Sequence, residues 1–402
     1  MSSTWRNMFV NAAIVVVSLT VSYLVFSFIT FRILLPNWSL NVRPYFTEMV
    51  DVLVQNSKAG YVPHDYIALL GDSYAAGHGD WLLSAKGNRA KDFHSAHVLH
   101  DLTGRDVITL GRAGAGSAQA MVRQPSRVFG EHCFFFPKLE APRQVFVYFY
   151  EGNDLYDNIV LIQRVAPRTS GDARAAVIRH VEANYTASPR LHCLGQFAKT
   201  VSSTARFLIS YRNDGPGLRS ASNRIVTARG IEPTDKLQQP GALDAADTEL
   251  ALWLFDYALA WLQRNFPTTV VTMVYLPAPA SIYRYAVPWV ETPTGGGSSP
   301  EQIYTPSQKM CQEIRALSLA RGVRFIDMRP FLRAAAAERP IHGPRDWEHF
   351  NEVGYRALGQ GLARMLDHPA STPCRDWGDG ANVAAGTDSS SPAVRPNADI
   401  GR

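Results

Sequence analysis

Tyr66-Ile67-Ala68-Leu69-Leu70-Gly71-Asp72-Ser73 is an apolar run that stops at a glycine and delivers an acid and a hydroxyl. A short continuous apolar run of this kind reads as a buried strand. Four more follow: Val107-Ile108-Thr109-Leu110, Gln144 to Tyr150, Thr268 to Leu276, and Val323-Arg324-Phe325-Ile326-Asp327. Helical patterns lie at 90–104, where Leu102-Thr103-Gly104 ends on a glycine stop, at 118–128 and at 352–366. Strands alternating with helices predict βαβ units and a parallel sheet, hence an α/β fold. In such a sheet the carboxyl ends of the strands share one edge, and ligands bind there.

Three strand ends carry chemistry. Ser73 ends the first strand. Gly114, in Gly111-Arg112-Ala113-Gly114-Ala115-Gly116-Ser117, follows the second. Asn153, in Glu151-Gly152-Asn153-Asp154, follows the third. Far downstream, Asp346-Trp347-Glu348-His349 precedes the last helical pattern. A serine hydroxyl attacks only when a base takes its proton, and the base needs a third group to hold its ring. His349 and Asp346 can supply both from one turn. The backbone N–H groups of Ser73 and Gly114 and the amide of Asn153 can supply donors to an oxyanion. Glycine at 114 lets the backbone approach without a Cβ.

These four blocks, in this order, resemble the SGNH hydrolase family of GDSL-type esterases and lipases. The resemblance spans residues 64–366 apart from the insertions. It implies a three-layer α/β/α sandwich with a flavodoxin-like parallel sheet. It further implies Ser73 as nucleophile, His349 as general base and later acid, and Asp346 as the group that orients the imidazole. Gly114 and Asn153 would complete the oxyanion hole with Ser73. Neither metal nor organic cofactor is expected. Two positions depart from the family pattern: Glu151 stands where a glycine is usual, and Thr109 where an asparagine is common. The elbow G-x-S-x-G is absent, which argues against the α/β-hydrolase fold.

The chain has 402 residues, 46% of them apolar, enough for one large domain or two small ones. Net charge is +5 and the pI about 9.0, but no basic run is interleaved with aromatics, so no nucleic-acid partner is expected. His94, His97 and His100 recur at helical spacing, yet no carboxylate or cysteine completes a metal set. The cysteines at 133, 193, 311 and 374 form no C-x-x-C pair. Cys133 with Cys193 is one possible disulfide in an exported domain, and buried thiols are the equal alternative. Trp81, Trp347 and Phe134-Phe135-Phe136 suit an acyl pocket or simple core packing.

Residues 8–31 are uncharged and mostly apolar, about 36 Å of helix, enough to span a bilayer. No small-residue cleavage site follows, so the segment reads as a single-pass signal anchor, with a cleaved signal peptide as the minority alternative. Arg6 on one side and Arg32 and Arg43 on the other do not fix its orientation. A short N-terminal tail favours a catalytic domain on the extracytoplasmic, periplasmic side. A linker at 32–63, a hydrolase domain at 64–368 with insertions near 158–248 (helical) and 283–306, and a disordered tail at 369–402 complete the expected organisation.

The leading expectation is a membrane-anchored serine ester hydrolase that forms an acyl-Ser73 intermediate on a lipid or acylated glycan. One alternative is an O-acyltransferase acting on an envelope polysaccharide through the same residues. The other is an inactive scaffold that binds glycan or protein.

Overall fold

The computed structural model describes residues 3–29, 48–80, 94–130, 137–166, 172–186 and 222–377. Helix α1 (Ser3–Phe28) comes first, and its stretch Trp5–Phe26 is long and apolar enough to cross a membrane. Next come α2 (Glu48–Val54), β1 (Ile67–Leu70), the short α3 (Ser73–Ala76), α4 (Ser95–Thr103) and β2 (Val107–Thr109). A π-helical turn, Gln119–Arg123, leads into α5 (Gln124–Phe129). β3 (Gln144–Tyr150), α6 (Asp154–Val165), α7 (Ala173–Val181), β4 (Asn223–Thr227), β5 (Gly230–Thr234) and α8 (Ala245–Asn265) follow. Then come β6 (Val270–Leu276), β7 (Arg284–Tyr285), β8 (Val290–Glu291), β9 (Gly297–Ser298), α9 (Pro300–Ala320), β10 (Arg324–Asp327), α10 (Arg329–Glu338) and α11 (Glu352–Met365).

Five strands form the main sheet in the order β10-β6-β3-β1-β2, every neighbouring pair parallel. Counted along the chain, this is the 2-1-3-4-5 order of flavodoxin-like folds, whose switch point lies between the first and third strands. Successive side chains point to opposite faces of a strand. Accordingly Ala68, Leu70, Val145, Val147 and Phe149 join one core with α2, α5, α6, α8 and α9. Ile67, Leu69, Phe146, Tyr148 and Tyr150 join the other with α4, α10 and α11. Helices therefore cover both faces, giving the three-layer α/β/α sandwich. Both faces of each strand are buried, which is why the strands read as continuous apolar runs.

The domain extends beyond the expected bounds at both ends. Residues 48–63 were expected in a linker, but Met49, Val52 and Leu53 of α2 are core residues. The same segment closes the open edge of β2. The Gln55 side chain accepts from the Thr109 N–H at 2.7 Å and donates to its carbonyl at 2.8 Å. The Val107 N–H donates to the Ser57 carbonyl at 2.8 Å. An edge strand presents unpaired backbone groups, and here a short segment satisfies them.

At the other end, residues 369–377 fall in the expected disordered tail but are held on β10. The Thr372 N–H donates to the Phe325 carbonyl, and Thr372 and Ser371 hydroxyls accept from Asp327 and Phe325. A Cys311–Cys374 disulfide ties this segment to α9 across 63 residues of sequence. The Cys133–Cys193 pairing lies outside the described residues, as do Trp81 and Phe134–Phe136. Closing a loop of this length removes freedom from the unfolded chain, so Cys311→Ser with Cys374→Ser should cost roughly 3–4 kcal/mol. Denaturant unfolding of the oxidised and doubly substituted proteins measures it.

In the region of the first insertion, α7 and the β4–β5 hairpin are described, while 187–221 are not. In the second, β7 pairs with β4, making a three-stranded sheet, and β8 pairs with β9.

Candidate active site

The first strand ends in a turn that presents its serine. Asp72 caps α3 by accepting the Tyr74 N–H at 2.9 Å, which leaves Ser73 as the first helical residue. Ser73 is only 6% exposed. Its Oγ lies 2.9 Å from His349 Nε2 and 3.3 Å from an Asp72 carboxylate oxygen. His349 Nδ1 lies 2.8 Å from Asp346 Oδ2. The structure thus brings Ser73, His349 and Asp346 into one hydrogen-bonded chain across 276 residues of sequence. With Nδ1–H donating to Asp346, Nε2 is left as the acceptor for the serine proton.

The downstream turn is fixed from several sides. Asp346 Oδ1 accepts the N–H groups of Glu348 and His349 at 3.0 and 3.1 Å. Asp80 accepts the N–H groups of Asp346 at 2.8 Å and Arg345 at 3.1 Å. The Tyr74 hydroxyl donates to the Glu348 carbonyl, and its ring centroid lies 5.4 Å from that of His349. Gly79 passes so close that a Cβ there would meet the Phe350 carbonyl oxygen at 2.2 Å. Asp80 and Tyr74 carried no signal of their own in the sequence, because their partners lie more than 260 residues away.

Electrostatics favour an ion-pair form of the chain. Burial opposes charge on His349, but the Asp346 hydrogen bond and the charges of Asp346, Asp72 and Glu348 raise its pKa above the ordinary imidazole value. Burial likewise opposes charge on Asp346, yet hydrogen bonds from His349 and the backbone hold its pKa down. Asp72 is fully buried and its pKa is raised by that burial. Asp157, in the first turn of α6, is pushed up to about 6 by burial and by Asp72. Burial and then Asp72 also raise the neighbouring Asp154 well above the carboxylate range.

Gly114 sits in a loop packed on the serine turn. The Arg112 N–H donates to the Gly71 carbonyl at 3.2 Å, and a Cβ on Gly111 would meet the Ala76 nitrogen at 2.2 Å. Gly114 has φ +67 and open space around it, and its N–H donates to no described backbone carbonyl. Asn153 occupies the N-cap position of α6 but makes no capping bond, although that is what asparagine ordinarily does there. Its Oδ1 is buried without a partner among the described residues. Both groups are therefore uncommitted at the carboxyl edge of the sheet.

The two departures from the family pattern have structural roles. Glu151 is 4% exposed and turns away from the loop. Its carboxylate accepts from the Ala278 N–H at 2.8 Å, the Ser307 hydroxyl at 2.7 Å and the Tyr275 hydroxyl, joining β3, β6 and α9. Thr109 donates its hydroxyl proton to the Ala75 carbonyl and accepts the Gly111 N–H at 3.1 Å.

Asn158 was missed by sequence reading. It accepts the Ser117 N–H at 2.8 Å and donates to the Ser117 hydroxyl at 2.9 Å and the Ala251 carbonyl at 3.1 Å. It clamps the Gly114 loop onto α6 and α8. Asn158→Ala strands several buried polar groups and should destabilise the domain by about 2–3 kcal/mol. A urea unfolding curve reads the loss.

The three histidines at helical spacing have separate partners. His94 meets the Ala75 carbonyl at 3.0 Å, His97 meets Asn56 at 2.6 Å, and His100 meets the Arg105 carbonyl at 2.7 Å. Trp347 is largely buried and donates its indole N–H to the Pro344 carbonyl at 3.1 Å.

No protein-family profile matches the chain, and no curated protein matches it. Among solved structures, it is similar to a carbohydrate esterase family 2 enzyme with a carbohydrate-binding domain from Corynascus thermopiles (Myceliophthora fergusii), at 12% identity and a TM-score of 0.34. That match covers 77% of this chain and 67% of the other. It is also similar to an acetyl xylan esterase from the rumen bacterium Butyrivibrio proteoclasticus, at 9% identity and a TM-score of 0.32. Here 76% of this chain is covered and 64% of the other, so the chain spans less than two thirds of that enzyme.

Proposed function

We propose that this chain is a serine ester hydrolase of SGNH type, acting on carboxylic esters through an acyl-Ser73 intermediate. The supporting observation is the Ser73–His349–Asp346 hydrogen-bonded chain at the carboxyl edge of the sheet. In this reading Ser73 Oγ attacks the ester carbonyl while its proton passes to His349 Nε2. The negative charge on the tetrahedral oxygen falls to the N–H groups of Ser73 and Gly114 and the Asn153 amide. The imidazolium, balanced by Asp346, returns its proton to the departing alkoxide. Water then repeats the sequence in reverse on the acyl-serine, releasing the acid and free Ser73.

A fluorophosphonate probe tests the reading directly. Covalent labelling mapped to Ser73, together with release of free acid from p-nitrophenyl esters, is the expected result. A probe that labels no serine would sink it.

We further propose that α1 anchors the protein in a membrane with the domain on the extracytoplasmic side. The Cys311–Cys374 disulfide supports that side, because such bonds persist in oxidising compartments. Protease added to intact spheroplasts should degrade the domain; full protection would place it in the cytoplasm.

A further inference from the structure

Away from Ser73, residues 375–377, α10 and β7 enclose a cavity of about 180 Å³. Val226, Ile282, Pro330, Ala334 and Ala337 give it an apolar lining. Arg284, Arg333 and Arg375 also line it, against one carboxylate, Asp376.

Among the described residues, none of the three arginines is directly ion-paired, although the charges of Asp327 and Glu151 act favourably on Arg333. Arg333 donates, among the described residues, only to backbone carbonyls, to Ser281 at 3.3 and 3.4 Å and to Arg375 at 3.3 Å. Its guanidinium lies 4.5 Å from the Trp377 ring centroid, and that of Arg284 lies 5.8 Å from it. Burial, then the nearby Arg329, pushes the Arg333 pKa down to about 10. The buried indole N–H of Trp377 has no acceptor among the described residues. A partly buried guanidinium with no carboxylate paired directly to it among the described residues is costly, and an anion in the cavity would offset that cost.

The wall is built in advance. Cys374 is disulfide-bonded to Cys311, and the Arg375 N–H donates to the Asp327 carboxylate at 3.1 Å. These bonds hold the arginine, the aspartate and Trp377 against α10 before any ligand arrives.

We propose that this cavity binds an amphipathic oxyanion, a carboxylate or phosphate bearing a short apolar tail. The arginines take the anionic head and the Val226, Ile282 and alanine surface takes the tail. The site is independent of Ser73 and of the ester-hydrolase reading.

Isothermal titration of the full chain in detergent tests it, with hexanoate and hexyl phosphate as probes and acetate and hexanol as controls. One of the two amphipathic anions should bind at one site, with both controls roughly tenfold weaker or more. The tighter of the two probes identifies the head group. Arg284→Gln, at an exposed position, and Ala337→Leu, which fills the cavity, should each weaken that binding roughly tenfold. Ester turnover should be unchanged in both variants. Absence of binding by either probe, or binding indifferent to both substitutions, overturns the proposal. Acetate or hexanol matching the better probe overturns the amphipathic assignment.

Discussion

Ser73→Ala is expected to lower ester turnover by about a million-fold while leaving the fold intact. The magnitude follows from what the substitution removes. The hydroxyl is the only proposed nucleophile, and enzymes that lose such a serine retain only what binding and the oxyanion donors contribute. Little structure depends on this oxygen. Among the described residues its hydrogen bonds run to His349 and Asp72 alone, and Asp72 keeps the Tyr74 N–H. The alanine Cβ occupies space that the serine Cβ already fills. Thermal melts of the two proteins should therefore nearly coincide. Turnover of p-nitrophenyl acetate, with circular dichroism as the fold control, decides the matter. If the variant retains a tenth of wild-type turnover, Ser73 is not the nucleophile.

The sheet was legible because its strands are buried on both faces. Ile67–Leu70 and Gln144–Tyr150 have no exposed face to alternate with, so each shows as an unbroken apolar word. The residues at the strand ends were legible for a related reason. A βαβ alternation places every carboxyl end on one edge, so Ser73, Gly114 and Asn153 could be placed there without coordinates.

What escaped was held by contacts with no local pattern. Helix α2 has only seven residues, too few to show a helical period. Its role is visible only once Gln55 is seen closing the edge of β2. The Cys311–Cys374 pairing depends on where α9 and the segment after α11 come to lie, which spacing does not encode. Glu151 stands where the resembled pattern has a glycine. Its side chain proves to fold inward onto Tyr275 and Ser307, so the loop itself is spared. Asp80 supports the Asp346 backbone from a segment that the family motif does not cover.

Asp346→Asn is expected to lower kcat by about ten-thousand-fold at pH 8 and to move the acid limb of kcat/KM to lower pH. The first effect is one of tautomer. Asp346 accepts from His349 Nδ1, which keeps Nε2 free to take the serine proton. An asparagine amide can instead donate to Nδ1, which drives the proton onto Nε2 and blocks the base; elsewhere this exchange costs about 10⁴ in kcat.

The second effect is electrostatic, and its sign follows from the active form. Only neutral His349 accepts a proton, so kcat/KM rises with pH through the free-enzyme pKa of His349. Burial alone would place that pKa below 6.5, but the Asp346 hydrogen bond and charge, then Asp72 and Glu348, raise it above that value. Removing Asp346 deletes the two largest raising causes and leaves burial in place. The midpoint therefore moves acid. Between the two midpoints the deficit relative to wild type shrinks, because there the wild-type imidazole is protonated and the variant's is not. pH profiles of both proteins with one activated ester test the pair of claims together. An unmoved acid limb would mean that the group titrating in that limb is not a His349 held by Asp346.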